Sequence, residues 1–199
     1  MQSLVLLPVV ATSFSLGNIQ NTDTSPNLLA KINIEAERIG DFNQARNSEA
    51  LTKEARAEAV DAYFKEHNMP LLGTGITMVE EADKNGLDWR LVAAIGVRES
   101  TGGKHECKTQ LAQGKKNPFG WGGCKYGFPS YEHAIETVSR NLGGKNPNTA
   151  FHYKDKDTKA ILQAYNPPSI VPRYADQVIN IMNAIGPVDL GTVEALAKS

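Results

Sequence analysis

A run of apolar and small residues from Leu91 to Gly96 predicts a helix that other elements enclose, because it leaves almost no polar face. Asp88 is a suitable residue to cap the beginning of this helix. Gly102 or Gly103 is suited to end it, since glycine readily takes the left-handed conformation that terminates helices. The hydrophobic pattern therefore predicts a buried central helix within residues 88–103.

The central helix carries a carboxyl group, Glu99, in its last turn. The negative end of the helix dipole and partial burial both oppose a negative charge there, which makes this group a candidate general acid. The alternative is a surface side chain paired with the neighbouring Arg98. We favour the general acid because of the motifs that surround the helix.

Apolar periodicity predicts further helices on both sides of the central one, and no segment shows a convincing strand pattern. Residues 104–129, rich in Gly and Lys, are predicted to form a long loop over the site, since loops of this length are usually functional. The fold class is therefore predicted to be mainly α. Asp61–Lys65 is predicted to be the first element packed on the core. The predicted helices beside the central one are Ile76–Lys84, Tyr131–Leu142 with Ser130 as N-cap, Lys159–Tyr165 and Tyr174–Ile185.

The beginning of the chain resembles an export signal. Residues 4–10 are apolar and residues 11–17 are small and weakly polar, as in a secretory signal peptide. The positive n-region is missing, so a membrane anchor stays open as well, although the run is too short to predict a transmembrane helix. The predicted segments are 1–20, signal-like or anchor; 21–57, linker or partly helical spacer; 58–187, helical catalytic domain; and 188–199, tail.

Charge argues against a dedicated nucleic-acid binder, because the 199 residues carry a net charge of only -1. The charge is uneven, however. Between Arg98 and Lys159, eleven Lys and Arg stand against six Asp and Glu, a local balance of +5. This segment suits an anionic polymer, and a solvated basic face is the alternative.

The chain has two cysteines, Cys107 and Cys124, with sixteen residues between them. A disulfide closing a loop of this length would stabilise the fold by about 3 kcal/mol and would imply export. Two reduced thiols are the alternative, and a cysteine enzyme using one of them with His105 or His133 is a further interpretation. The His and Cys spacing matches no zinc site, so no metal and no cofactor are predicted.

Three segments carry a resemblance to a known family. The first reads Ala-Ile-Gly-Val-Arg-Glu-Ser at residues 94–100. The second reads Asn-Pro-Phe-Gly-Trp at 117–121, followed by Phe-Pro-Ser-Tyr at 128–131. The third reads Ala-Tyr-Asn at 164–166 and has Val171 and Tyr174 behind it. In this order, over roughly residues 61–185, they resemble lysozyme-fold peptidoglycan hydrolases. Both the bacterial endo-β-N-acetylglucosaminidase group and the lytic transglycosylases of the goose-type lysozyme superfamily share parts of the pattern.

The resemblance implies a lysozyme-like helical fold in which Glu99 protonates the leaving oxygen of a glycosidic bond. Tyr165 is a candidate to orient Glu99, with a place in the core as the alternative. Asn117 is a candidate to bind an N-acetyl group or simply to turn the chain. Phe119, Trp121 and Tyr126 would form an aromatic floor for sugar rings. The alternative is ordinary packing under the loop, which is favoured for Phe119 and disfavoured for Trp121. The candidate substrate-binding residues are Ser100, Asn117, Phe119, Trp121, Tyr126, Tyr131, Tyr165 and Tyr174.

The second catalytic group is left open by the sequence. Glu106, Glu132, Asp155 and Asp157 are candidate carboxylates, and none stands in a motif. Without a second carboxylate, the resemblance implies that the acetamido group of the substrate acts as internal nucleophile and that Glu99 returns as base. The Gly-Leu-Met-Gln element of transglycosylases is absent and Pro-Pro replaces their Ala-Gly after Tyr-Asn, so the mode of product release stays open.

The function predicted from sequence is an exported, monomeric glycosidase, outside the cell, in the periplasm or at the cell wall. Its partner would be peptidoglycan or a related N-acetylated polysaccharide, with no nucleic acid and with a possible membrane association of the N-terminus. A lytic transglycosylase on the same fold and a wall-binding module without turnover are the alternatives.

Overall fold

The computed structural model describes residues 26–192, and this part of the chain folds into helices in agreement with the predicted mainly α class. Segment 1–20 and residues 193–199 of the predicted tail lie outside the described residues. None of the described helices is long and apolar enough to cross a membrane. The described helices are α1 (Pro26–Glu66), α2 (Gly75–Asn85), α3 (Leu91–Ser100), α4 (Lys108–Leu111), α5 (Tyr131–Leu142), α6 (Ala150–Tyr153), α7 (Thr158–Tyr165) and α8 (Tyr174–Ile185).

Helix α1 is one continuous helix of 41 residues. The sequence predicts a linker or partly helical spacer over residues 21–57, followed by a short element at Asp61–Lys65. The predicted start of the catalytic domain, residue 58, lies inside it. Tertiary contacts instead divide the chain between Asn43 and Gln44 into two units. In the first unit, the described side chains of Ile34 and Ile39 are more than half exposed.

The second unit is built around α3, the predicted central helix. Residues 91–95 are fully buried, because α3 packs against α8, α2 and α5. Helix α2 also packs on α5, and α7 packs on α6 and α8. Burial of an almost entirely apolar helix on all sides is what its hydrophobic pattern predicts.

The beginning of α3 differs from the prediction. Arg90 occupies the N-cap position, and Asp88 lies two residues earlier. The Asp88 carboxylate accepts a hydrogen bond from the Arg90 backbone N–H at 3.0 Å and forms an ion pair with its guanidinium at 2.7 Å. Asp88 therefore fixes the turn that leads into the helix rather than capping its first turn.

The end of α3 is fixed by tight packing. Thr101 takes the left-handed conformation, and the Gly102 N–H donates to the Gly96 carbonyl at 3.1 Å. Gly102 has a φ of +64°, and a Cβ there would lie 2.4 Å from Met69 Sδ. Only glycine meets both demands, so the sequence prediction of a glycine at this helix end has a steric reason as well as a conformational one.

Part of the predicted tail belongs to the second unit. The Trp89 indole N–H donates to the Val188 carbonyl at 3.1 Å, and the side chains of Thr52 and Arg56 donate to the carbonyls of Gly191 and Leu190. Residues 188–191 therefore close over α1 and the turn before α3.

Candidate active site

A groove of about 420 Å³ lies at the C-terminal end of α3, with Glu99 on its floor. One wall is the loop segment 119–123, and the other comprises Thr149, His152 and Tyr153 at α6. Tyr165 and Asn166 from the end of α7 complete the lining. The end of the buried helix and three connecting segments thus converge on one carboxyl group.

The two oxygens of Glu99 have different surroundings. Oε1 accepts a hydrogen bond from the Tyr174 hydroxyl at 2.5 Å, whereas Oε2 receives no hydrogen bond from the described residues. A Cβ at Gly120 would lie 3.3 Å from Oε2, and Gly120 has a φ of +60°. Glycine therefore lets the loop backbone approach the oxygen that faces the groove.

Tyr174, not Tyr165, is the phenol that orients Glu99, which corrects the sequence prediction. The Tyr165 hydroxyl donates instead to the Phe119 carbonyl. The two tyrosine rings stack with centroids 6.0 Å apart, and the Trp121 ring lies 5.9 Å from Tyr165. Tyr165 therefore holds the loop wall in place, and Tyr174 holds the carboxyl group.

Burial raises the pKa of both phenols well above the ordinary value, and the nearby charge of Glu99 raises the pKa further in each case. Both tyrosines therefore keep their protons at any physiological pH. A protonated phenol can donate, which is the role that Tyr174 has toward Glu99.

Arg98 does not form an ion pair with Glu99, so the alternative interpretation of Glu99 as one partner of a surface ion pair is wrong. The Arg98 guanidinium donates to the Gln177 amide oxygen at 2.8 Å and lies over the Tyr174 ring, 5.6 Å from its centroid. It contacts the far face of the tyrosine that holds Glu99.

Asn117 is 1% exposed, and its side chain is fully engaged within the loop. Its amide group donates to the carbonyls of Trp121 and Tyr126, and its amide oxygen accepts from the Trp121 N–H at 2.9 Å. Asn117 therefore shapes the loop wall, in agreement with the alternative that it turns the chain. Its amide is engaged within the loop and it does not line the groove, so the structure does not present it to an N-acetyl group.

Other predicted substrate-binding residues lie apart from the groove lining. Ser100 is buried, and its hydroxyl bonds to Gly96 and Gly103 at the helix end. The Tyr131 hydroxyl donates to Glu106 at 2.7 Å. Tyr126 is 62% exposed and packs beside Gly122 on the outer side of the loop.

Of the three residues predicted to form an aromatic floor, Trp121 has its ring beside Tyr165 in the groove lining, and Tyr153, which was not predicted, also lines the groove. Phe119 is fully buried, and its ring packs beneath the loop against Gly96 of α3. It contributes its backbone carbonyl to the site, as the acceptor for Tyr165. Phe119 therefore supports the groove rather than contacting a sugar ring.

None of the four candidate second carboxylates lines the groove; in the described part of the chain, Glu99 is the only one that does. Glu106 is 5% exposed, and its oxygens accept from the Asn117 N–H at 2.6 Å and from Tyr131. Asp157 caps α7 through the Ala160 N–H. Glu132 and Asp155 are exposed.

The two cysteines form a disulfide, Cys107–Cys124, with Cα atoms 5.6 Å apart. This confirms the predicted bridge across the loop. It also removes the interpretation as a cysteine enzyme, since neither cysteine is a free thiol. His105 and His133 are exposed.

Sequence reasoning missed the wall at α6, which is only four residues long. The sequence feature that could have indicated this wall is Phe-His-Tyr at 151–153, three adjacent ring-bearing residues after a Gly-rich turn. Such a short helix has no periodicity to detect. Thr149 and His152 could not be placed without the tertiary structure.

Among residues 26–192, no cluster of His, Cys, Asp and Glu side chains has the arrangement of a metal site. Comparison with protein-family models finds no match, and no curated protein or solved structure is significantly similar to this chain. The candidate site is therefore interpreted from its own geometry and chemistry.

Proposed function

We propose that this chain is a peptidoglycan-cleaving glycosidase that acts on β-1,4 linkages between N-acetylated amino sugars, of the endo-β-N-acetylglucosaminidase or muramidase type. Glu99 is the general acid. The observation that carries the proposal is the position of Glu99 in a groove lined by Trp121, Tyr153 and Tyr165, with one oxygen held by Tyr174 and the other beside Gly120 of the groove lining. The resemblance of residues 94–100, 117–121 and 164–166 to peptidoglycan hydrolases supports the same conclusion.

We infer different roles for the two carboxyl oxygens. Because the Tyr174 hydroxyl donates to Oε1, the proton that Glu99 delivers resides on Oε2, beside Gly120 of the groove lining. Delivery of this proton to the leaving oxygen lets the bond between that oxygen and C1 break, with its electron pair going to the oxygen. The positive charge then develops at C1 of the sugar.

A second protein carboxylate does not line the described groove, which favours mechanisms in which the substrate supplies the nucleophile. In hydrolysis, the acetamido oxygen of the substrate attacks C1, and a water molecule, deprotonated by Glu99, then opens the ring intermediate. In the second candidate function, lytic transglycosylation, a hydroxyl of the same sugar attacks C1 and gives Glu99 its proton. The product then ends in an anhydro sugar.

The disulfide in the loop is compatible with an exported protein, since such bridges persist in oxidising compartments. We propose that the enzyme acts outside the cytoplasm, in the periplasm, at the wall or in the medium, where its substrate lies. The basic surplus between residues 98 and 159 suits an anionic wall polymer.

The proposal is tested by digesting purified peptidoglycan with the parent and with Glu99→Gln. Glutamine keeps the shape of the side chain and the acceptor for the Tyr174 hydroxyl, but it has no acidic proton to deliver. Release of soluble fragments should therefore fall by about a hundredfold or more. Circular dichroism should show that the fold is intact. Glu136→Gln removes an exposed carboxylate of α5 outside the groove and is the matched control. Activity of Glu99→Gln within about tenfold of the parent would refute the role.

Mass spectrometry of the fragments separates the candidates. Hydrolysis adds one water at each cut and transglycosylation adds none. A wall-binding module without turnover gives a third result, in which the parent sediments with insoluble wall and releases no fragments.

A further inference from the structure

Three ring-bearing side chains on α6 are exposed to very different degrees. Tyr153 is 8% exposed and lines the groove, His152 is exposed and lines the groove, and Phe151 is 76% exposed. The rings of Phe151 and His152 lie 4.0 Å apart at 37°. The aromatic surface of the groove thus continues outward along one wall, from a buried ring to one that stands in solvent.

The segment that presents Phe151 is held firmly. Burial raises the pKa of the Tyr153 phenol, which reflects how deeply the helix is anchored. The Thr149 hydroxyl donates to the Asn141 amide oxygen at 2.5 Å, and a Cβ at Gly144 would lie 2.6 Å from Lys154 Cα. Phe151 is therefore an exposed ring on an anchored turn, so binding on its face orders little additional structure.

Exposed apolar side chains that stand alone need no explanation, but this ring is continuous with the lining of a groove. Neither ring nitrogen of His152 bonds to a described side chain or carbonyl, so both are free to contact a ligand beside the Phe151 face. A flat apolar face next to a polar edge matches the amphipathic surface of a pyranose ring, whose C–H face and hydroxyl rim differ in the same way.

We propose that Phe151 and His152 form an outer subsite that stacks a sugar residue of the polysaccharide strand, beyond the residues joined by the bond that Glu99 cleaves. This inference rests on the proposed function and deepens it, since it makes the substrate an extended strand rather than a disaccharide. Phe151 contacts the C–H face of the sugar, and a His152 ring nitrogen hydrogen-bonds its polar edge.

The test measures binding in the Glu99→Gln background, where substrate is not consumed. The probes are the β-1,4-linked disaccharide and hexasaccharide of N-acetylglucosamine and insoluble peptidoglycan. Phe151→Leu keeps an apolar side chain without a flat face and should weaken hexasaccharide binding about tenfold, while Phe151→Trp keeps the face and should retain it. Disaccharide binding should be the same in all variants, because the short ligand fills only the inner groove.

Leu72→Ala is the matched control, since it shortens a 49% exposed apolar side chain between α1 and α2, away from the groove. If Phe151→Leu in the Glu99→Gln background binds the hexasaccharide as tightly as Glu99→Gln alone, the outer subsite is overturned. The proposed function still stands in that case if the parent cleaves peptidoglycan. Equal losses of hexasaccharide affinity in Phe151→Leu and Phe151→Trp also overturn the outer subsite, because the flat aromatic face then has no role in binding. If the parent neither binds nor cleaves any probe, the proposed function and the inference fail together.

Discussion

Glu99 depends on a residue 75 positions later in the chain, Tyr174, for the position of its carboxyl group. The phenol is 2% exposed, its ring stacks with the Tyr165 ring, and the Arg98 guanidinium lies over it. In the proposed reaction, Tyr174 therefore acts through Glu99, as a positioning residue.

Replacement of Tyr174 by Phe should lower kcat about ten- to a hundredfold with little change in KM. The ring packing stays, but Glu99 loses the hydrogen bond that fixes Oε1 and directs its proton to Oε2. Steady-state kinetics on soluble glycan strands measures the split. Tyr63→Phe removes a phenol that stacks on His67, outside the groove, and should leave both constants unchanged. An unchanged kcat in Tyr174→Phe would contradict the positioning role.

Glu106 has a structural role at the same scale. It is buried, and its two oxygens satisfy the Asn117 N–H and the Tyr131 hydroxyl. Glu106→Ala leaves a buried N–H without a partner and should lower the free energy of unfolding by about 2–4 kcal/mol, measured by urea denaturation. Glu136→Ala, at an exposed position of α5, should change it by less than about 0.5 kcal/mol. Equal midpoints for the two variants would show that Glu106 does not anchor the loop.

At the scale of elements, the loop between α3 and α5 is long but internally tied. Lys116 and Phe128 pair as an isolated antiparallel bridge, the Gln110 side chain donates to the Cys124 carbonyl, and the disulfide joins the two halves. These ties hold the segment 119–123 against Glu99. A loop of this length over a groove would otherwise have many conformations.

Removal of the disulfide by Cys107→Ala with Cys124→Ala should destabilise the fold by about 3 kcal/mol in the chain-entropy model. For a chain of this size, that corresponds to a fall in Tm of about 6–12 °C, measured by scanning calorimetry. Treating the parent with a reductant should lower Tm by the same amount and should not affect the double variant. A reductant that lowers both Tm values equally would show that its effect does not act through this bridge.

At the scale of the whole molecule, the free energy of unfolding should depend on pH under alkaline conditions. The folded state keeps the Tyr174 phenol protonated, because burial and the Glu99 charge raise its pKa, whereas in the unfolded chain the phenol ionises near pH 10. As the pH rises, the unfolded chain therefore loses the Tyr174 phenol proton before the folded chain does. The stabilisation is complete below about pH 10 and falls by up to about 1.4 kcal/mol per pH unit above it.

Urea denaturation between about pH 8 and 11 measures this effect. Because phenylalanine has no proton to lose, Tyr174→Phe should show a shallower fall in stability above pH 10 than the parent. Tyr126→Phe, at a 62% exposed position, should follow the parent. Identical slopes for Tyr174→Phe and the parent would contradict the assignment.

The sequence by itself determined the elements whose signals lie within a few residues. The bounds of α5 and α8, the Ser130 cap and the glycine at the end of α3 follow from side-chain chemistry and periodicity next to each helix end. The placement of Glu99 in the last turn of a buried helix is local in the same sense. The sparse apolar positions of α1 predict either a spacer or a loosely attached helix, and the structure contains one continuous helix there.

Only the tertiary structure decided which side chains meet. Tyr165 and Tyr174 are both tyrosines beside predicted helix ends, and nothing in the sequence says which hydroxyl reaches Glu99. From the sequence, the Asn117 amide could bind a ligand, but in the fold its hydrogen-bonding groups are engaged by the loop backbone. Helix signals come from neighbours along the chain, whereas hydrogen-bond partners and groove walls depend on how distant segments pack. This is why the candidate acid could be predicted from the sequence and its surroundings could not.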